Sequence, residues 1–184
     1  MSQAEVIIVT GESGSGKTGF VSQMVTILRE AKVMVSGILA HGFWDGDTRE
    51  RFEIEDLQTG KRIEYCSRRA VEGWDKIRKF YINPESVEFG NRALSYRFSE
   101  KKQVIIIDEI GPFELAGKGW APLIHRLVLE GKAPMVWVVR PELISEVCNK
   151  WGVLPVSITD PLTGDPGEQV RIINRLLNFN LSSE

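Results

Sequence analysis

The run Gly11-Glu12-Ser13-Gly14-Ser15-Gly16-Lys17-Thr18 stands between an apolar segment of strand length and a segment with helical periodicity. In that setting it is a phosphate-binding loop. Its glycines permit positive φ and close approach to a ligand, so backbone N–H groups from about Gly14 to Thr18 converge on phosphate oxygens. A helix beginning near Lys17 adds the partial positive charge of its N-terminus. Lys17 is expected to reach the β and γ phosphates, and the Thr18 hydroxyl to supply one oxygen to Mg2+. A glycine-rich turn that merely caps a helix is the competing reading, and the flanking strand and helix weigh against it.

The periodicity extends the pattern. Glu5 to Thr10 centres on Val6-Ile7-Ile8-Val9, a run suited to a parallel strand buried on both faces. From Lys17 to Ala31, apolar residues recur at helical spacing, and Val33 to Ala40 reads as a strand. Phe43-Trp44-Asp45-Gly46-Asp47 has turn chemistry, and alternation around Gln58-Thr59-Gly60 predicts an antiparallel hairpin between Glu50 and Ser67. Arg68 to Phe80 is mixed and basic: a solvated face, or a lid that contacts phosphate. Asn83-Pro84 opens a helix that includes Phe98 and ends near Glu100.

Val104 to Ile107 and Val136 to Val139 are further buried strands, ending on Asp108-Glu109 and Arg140. Pro122 opens a helix closed by Gly131, Pro141 one that reaches about Asn149, and Val170 to Leu177 forms the last. Pro155 assigns Val153 to Ile158 to an edge or a strand start. The alternation predicts an α/β fold: a three-layer sandwich with a mainly parallel sheet and a β-hairpin insert at about 43–82.

A chain of 184 residues, 42% hydrophobic, can bury one core, so residues 1–184 are expected to form a single domain. The net charge of -2 makes no case for nucleic acid or an anionic membrane. Cys66 and Cys148 lack metal-site spacing, and His41 and His125 have no spaced partners, so the thiols are expected to be structural. No leader-like or membrane-length segment is readable, and a cytoplasmic location is expected.

Acids at the carboxyl end of a buried strand face the ligand crevice of an open α/β sheet. Asp108 is therefore expected to hold Mg2+ through water, opposite the Thr18 oxygen. Glu109 is expected to act as the base that orients or deprotonates water lined up on the γ phosphorus. The alternative is that the two acids merely open a loop. Arg140 is placed to stabilise charge developing on the γ phosphate, or to make a surface ion pair or a helix-start contact. Between Lys17 and Asp108 the chain has room for a further strand, Val33 to Ala40, and the hairpin. This spacing, with Glu directly after Asp, resembles the additional-strand, RecA-like division of P-loop NTPases.

The resemblance narrows on Gly11 to Thr18, Gly37, Gly42-Phe43, Gly60, Glu85, Phe89-Gly90, Ile107-Asp108-Glu109-Ile110-Gly111 and Glu114-Leu115. Together they resemble the small nucleoside-triphosphatase family that includes the human cancer-related NTPase and its archaeal and bacterial relatives, from Val6 to about Leu129. The resemblance implies slow Mg2+-dependent hydrolysis of ATP, GTP and other nucleoside triphosphates, with Lys17, Asp108 and Glu109 in the family's loop-lysine, metal-side acid and glutamate positions. Gly19 stands where relatives usually carry a second hydroxyl residue. Pro112-Phe113 replaces a Lys-Met pair common there, which removes a cation near the site.

Two other functions fit parts of the pattern. A small-molecule kinase would use an acid after the second strand, Asp45 or Asp47, to activate an acceptor hydroxyl. A nucleotide-gated module would present the insert, with Trp44 and Trp74, to a protein partner whose identity the residues do not specify.

Overall fold

A computed structural model describes residues 4–95 and 102–181 of the chain. β1 (Val6–Val9) runs into the glycine loop and α1 (Lys17–Glu30) leaves it. β2 (Met34–Asp45), β3 (Thr48–Asp56) and β4 (Arg62–Ser67) follow, then the short strands β5 (Asp75–Ile77) and β6 (Phe80–Ile82). α2 (Pro84–Leu94) starts where the Asn83 side chain accepts the Glu85 N–H, with Pro84 in the first turn. β7 (Gln103–Ile110) leads to a single turn, α3 (Pro112–Leu115), and then to α4 (Ala121–Glu130), which Gly131 caps in the left-handed conformation. β8 (Met135–Val139), a 3-10 turn at Pro141–Leu143, α5 (Ile144–Trp151), β9 (Ser157–Thr159) and α6 (Pro166–Leu181) follow.

The strands form one sheet in the order β5-β6-β4-β3-β2-β7-β8-β1-β9. From β2 to β9 every neighbouring pair is parallel, while β3, β4, β6 and β5 extend the same sheet with antiparallel pairs. The insert is thus continuous with the core sheet, which becomes mixed. The strand between β1 and the acid-bearing β7 is β8, whereas β2 lies on the outer side of β7. The room between Lys17 and Asp108 in the chain is therefore filled by a different strand from the one that separates them in the sheet.

Two hydrophobic clusters flank the sheet, and β1 divides its side chains between them: Val6 and Ile8 join one, Ile7 and Val9 the other. The second cluster holds Phe20, Val21, Met24 and Leu28 of α1 with Val170, Ile173 and Leu177 of α6. The first holds Leu94 of α2, Ile124 and Leu127 of α4, and Val147 and Trp151 of α5. Burial on both faces gives the three-layer sandwich and accounts for the unbroken apolar runs of its central strands.

Three boundaries depart from the sequence pattern. β2 continues through Phe43, Trp44 and Asp45, and only Gly46 and Asp47 turn, because cross-strand pairing with β3 reaches Asp45 opposite Thr48. β7 runs on past Asp108 and Glu109 to Ile110 through an irregularity in its pairing with β8. α2 is described as far as Leu94, so the expected part with Phe98 and Glu100 lies outside the described residues.

Candidate active site at the phosphate loop

The loop hangs between β1 and α1 with Gly14 at φ 85° and Gly16 at φ 87°, values that L side chains rarely adopt. Lys17 Nζ donates to the carbonyls of Gly11 at 2.6 Å and Glu12 at 2.7 Å, so its ammonium folds over the loop. Burial holds the Lys17 ammonium below its ordinary pKa; Glu109 and Asp108 pull it back up, and Arg140 and Arg49 push it down. All four charged groups therefore act on the loop lysine.

Asp108 is 1% exposed. Its Oδ2 accepts the Ala40 N–H at 2.9 Å and the Thr18 hydroxyl at 3.2 Å. Its Oδ1 is buried without a hydrogen-bond partner. Burial, reinforced by the Glu109 charge, holds the carboxyl well above the usual carboxylate range. An acid with one anchored oxygen and one orphaned oxygen, beside a threonine hydroxyl, has the hard-oxygen chemistry that a Mg2+ site requires.

Glu109 takes φ 62°, in the left-handed region, at the point where the β7–β8 register shifts between Ile107 and Ile110. The bulge lets Asp108 and Glu109 face the same end of the sheet from consecutive positions, which an unbroken strand would send to opposite faces. A non-glycine residue held this way costs about 1–2 kcal/mol.

Glu109, Lys17, Arg140 and Ser13 line one chamber of about 40 Å³ beside the loop. The structure therefore brings Lys17, Glu109 and Arg140 to one chamber, while Thr18 and Asp108 pair with each other and do not line it. It also brings in Arg49 and Lys79 of the insert, which sequence reading had not singled out. The Arg49 guanidinium lies 4.7 Å from the Trp44 ring centroid and 4.9 Å from that of Phe52, and its Nε is buried without a hydrogen-bond partner. A Cβ on Gly42 would stand 2.7 Å from Arg49 Nε, so glycine there makes room for the guanidinium. The available signal was the tight turn at Gly46-Asp47: it pairs Trp44 with Arg49 across the hairpin. Lys79 gives the basic stretch before Phe80 a place at this chamber, and Arg78 beside it is exposed at φ 56°.

The acids expected of a kinase lie elsewhere. Asp45 sits at the hairpin tip with a largely exposed carboxylate 3.9 Å from Arg69, and neither Asp45 nor Asp47 lines the chamber. Trp44 is 52% exposed, and its ring edge lies 3.8 Å from where a Cβ on Gly14 would stand, so it overhangs the loop. Trp74 is half-buried, Cys66 and Cys148 are free thiols, and no helix among the described residues is long and apolar enough to cross a membrane.

With β8 standing between the loop strand and the acid strand, the sheet has the order of the additional-strand phosphate-loop NTPases, an α/β nucleotide-binding class. The sequence profile of the NTPase family matches residues 6–158, and the chain belongs to that family. It is similar to the nucleoside-triphosphatase THEP1 of Ignicoccus hospitalis, 31% identical over 140 residues that cover 76% of this chain and 78% of the relative. The THEP1 protein of Korarchaeum cryptofilum is 26% identical over 176 residues, covering 93% and 84%. The solution structure of a human cancer-related nucleoside triphosphatase shares the fold over the full length of both chains, with a TM-score of 0.63 at 16% identity.

Proposed function

We propose that the protein hydrolyses nucleoside triphosphates, ATP and GTP among them, to the diphosphate and phosphate in the presence of Mg2+. The observation that carries this reading is the chamber beside the loop, where one carboxylate, Glu109, meets the cations of Lys17, Arg49, Lys79 and Arg140. A terminal phosphate is the ligand whose charge balances such a set.

On this reading the backbone N–H groups of Gly14 to Thr18 cradle the phosphates, and Lys17 shifts from the loop carbonyls to the β and γ oxygens. Thr18 and Asp108 would hold Mg2+, which would supply neutralisation of phosphate charge when bound. Glu109 orients a water on the γ phosphorus and accepts its proton. Arg140 and Arg49 stabilise the charge that builds on the transferring group, Arg49 from a fixed position between two aromatic rings. THEP1 relatives carry the name nucleoside-triphosphatase, which supports the reaction class. A cytoplasmic location goes with this reading, since the substrates are intracellular nucleotides.

The test is phosphate release from each common nucleoside triphosphate with Mg2+ and no acceptor, on the native chain and on Glu109→Gln. Removing the base should lower turnover roughly 100- to 10,000-fold while nucleotide affinity stays within about twofold. Near-native turnover by Glu109→Gln would remove Glu109 from this role.

A further inference from the structure

A second and larger cavity, of about 160 Å³, opens beside the phosphate chamber and shares Glu109, Arg140, Lys79 and Phe80 with it. Its apolar walls are Phe52, Phe80, Phe113, Ile77 and Ile82, contributed by β3, the β5–β6 pair and α3. Tyr65, Cys66 and Glu114 add polar groups, and all three side chains are buried. None of them has a part in the hydrolytic scheme. Arg78, Lys79 and Arg140 stand on its exposed side.

The buried polar groups share one property: burial disfavours the charged form of each. Glu114 is 1% exposed, and burial pushes its carboxyl up to about 8, the N–H groups of Gly111 and of its own backbone only partly opposing this. Burial lifts the Cys66 thiol to about 12, with the Glu109 charge adding to the push, and raises the Tyr65 phenol well above its ordinary value. Gly111 N–H donates to Glu114 Oε2 at 3.1 Å at the start of α3, and Oε1 lies against the Gly119–Trp120 backbone, so the carboxyl forms a fixed, polar part of the wall.

We propose that this cavity is a second-ligand site for a compact, uncharged ring molecule carrying a hydroxyl, seated beside the terminal-phosphate chamber. A cavity of about 150 Å³ walled by apolar side chains accommodates a benzene ring, which sets the size class of the occupant. The rings of Phe52, Phe80 and Phe113 favour a flat partner. A hydroxyl both donates and accepts, so it can pair with the Tyr65 phenol or the Glu109 carboxylate, whereas an anion would meet Glu109 and a cation would meet Arg78, Lys79 and Arg140.

This site is independent of the hydrolysis reading and is tested without nucleotide. The probe is 4-fluorophenol on the full chain, followed by fluorine NMR, with fluorobenzene and 4-fluorobenzoate as comparators. The expected result is saturable binding of the phenol, at least about fivefold tighter than fluorobenzene, as one hydrogen bond would give. Methyl-labelled protein should show contacts from the phenol ring to the Ile77 and Ile82 methyl groups. Ile77→Trp, on a short edge strand, should abolish the binding with the circular dichroism spectrum unchanged; should that variant not fold, the methyl contacts decide the matter. Absence of saturable binding, a bound phenol without those contacts, or tighter binding of the benzoate would each overturn the proposal.

Discussion

The Thr18 hydroxyl and the Asp108 carboxylate, 90 positions apart in the chain, meet at 3.2 Å at the mouth of the loop. The Ala40 N–H and the Thr18 hydroxyl hold one carboxylate oxygen and leave the other unpaired. A hydrogen bond that orients a carboxylate in this way prepares it for a cation.

Removing the divalent ion should therefore abolish phosphate release, and Thr18→Val or Asp108→Asn should raise the Mg2+ concentration for half-maximal rate by 10-fold or more. A magnesium titration of the phosphate-release rate measures this. Unchanged Mg2+ dependence in both variants would exclude the pair as the metal site.

The strained backbone at Glu109 separates stability from activity. Glycine takes φ 62° without the cost, so Glu109→Gly should gain roughly 0.5–1 kcal/mol after the entropy of the added glycine is subtracted. At this chain length that raises Tm by about 1–4 °C, while phosphate release falls to the level of Glu109→Gln. Thermal unfolding of the two variants side by side provides the comparison, and a Tm no higher than that of the glutamine variant would show that the bulge stores no strain.

Arg49 is held by its surroundings before any ligand arrives. Arg49→Ala should lower kcat on the order of 100-fold with a smaller effect on KM, and Arg49→Lys should restore little of it, because a lysine lacks the planar group that stacks between Trp44 and Phe52. Gly42→Ala should reproduce part of the loss by crowding Nε, since the added Cβ would stand 2.7 Å away. Steady-state kinetics on the three variants would settle the point; a full rate in Arg49→Ala would leave Arg49 as packing alone.

Glu114 makes stability depend on pH. Its carboxyl ionises near 4.5 in an unfolded chain and at about 8 in the folded one. Between those values the folded state binds the extra proton, so the stabilisation present below 4.5 is lost progressively as pH rises to about 8. Glu114→Gln should flatten that slope in urea-unfolding measurements across the same range. An identical slope in the variant would mean that the native carboxyl is already ionised at neutral pH.

How far the residues alone announced this site depends on how local each cause is. Gly11 to Thr18, the strand before it and the helix after it follow from backbone freedom and side-chain periodicity, which act over a few residues. The Asn83 cap, the Gly131 cap and the edge position after Pro155 are local in the same sense. The loop residues, Asp108, Glu109 and Arg140 could be named because each sits at the end of an apolar strand, where the topology of a parallel sheet puts its ligands.

Other features depended on contacts between distant segments. β8, and not β2, came to separate β1 from β7, because sheet order is decided by which apolar faces pack together and not by order along the chain. The bulge at Glu109 arose from pairing with β8, and the seat of Arg49 from a hairpin that extends the same sheet past β2. The phosphate loop, its lysine and its threonine were thus determined by the sequence itself through local sterics. The chamber that joins them to Glu109 and Arg49, and the cavity beside it, were decided only when tertiary packing brought residues from five separate strands to one end of the sheet.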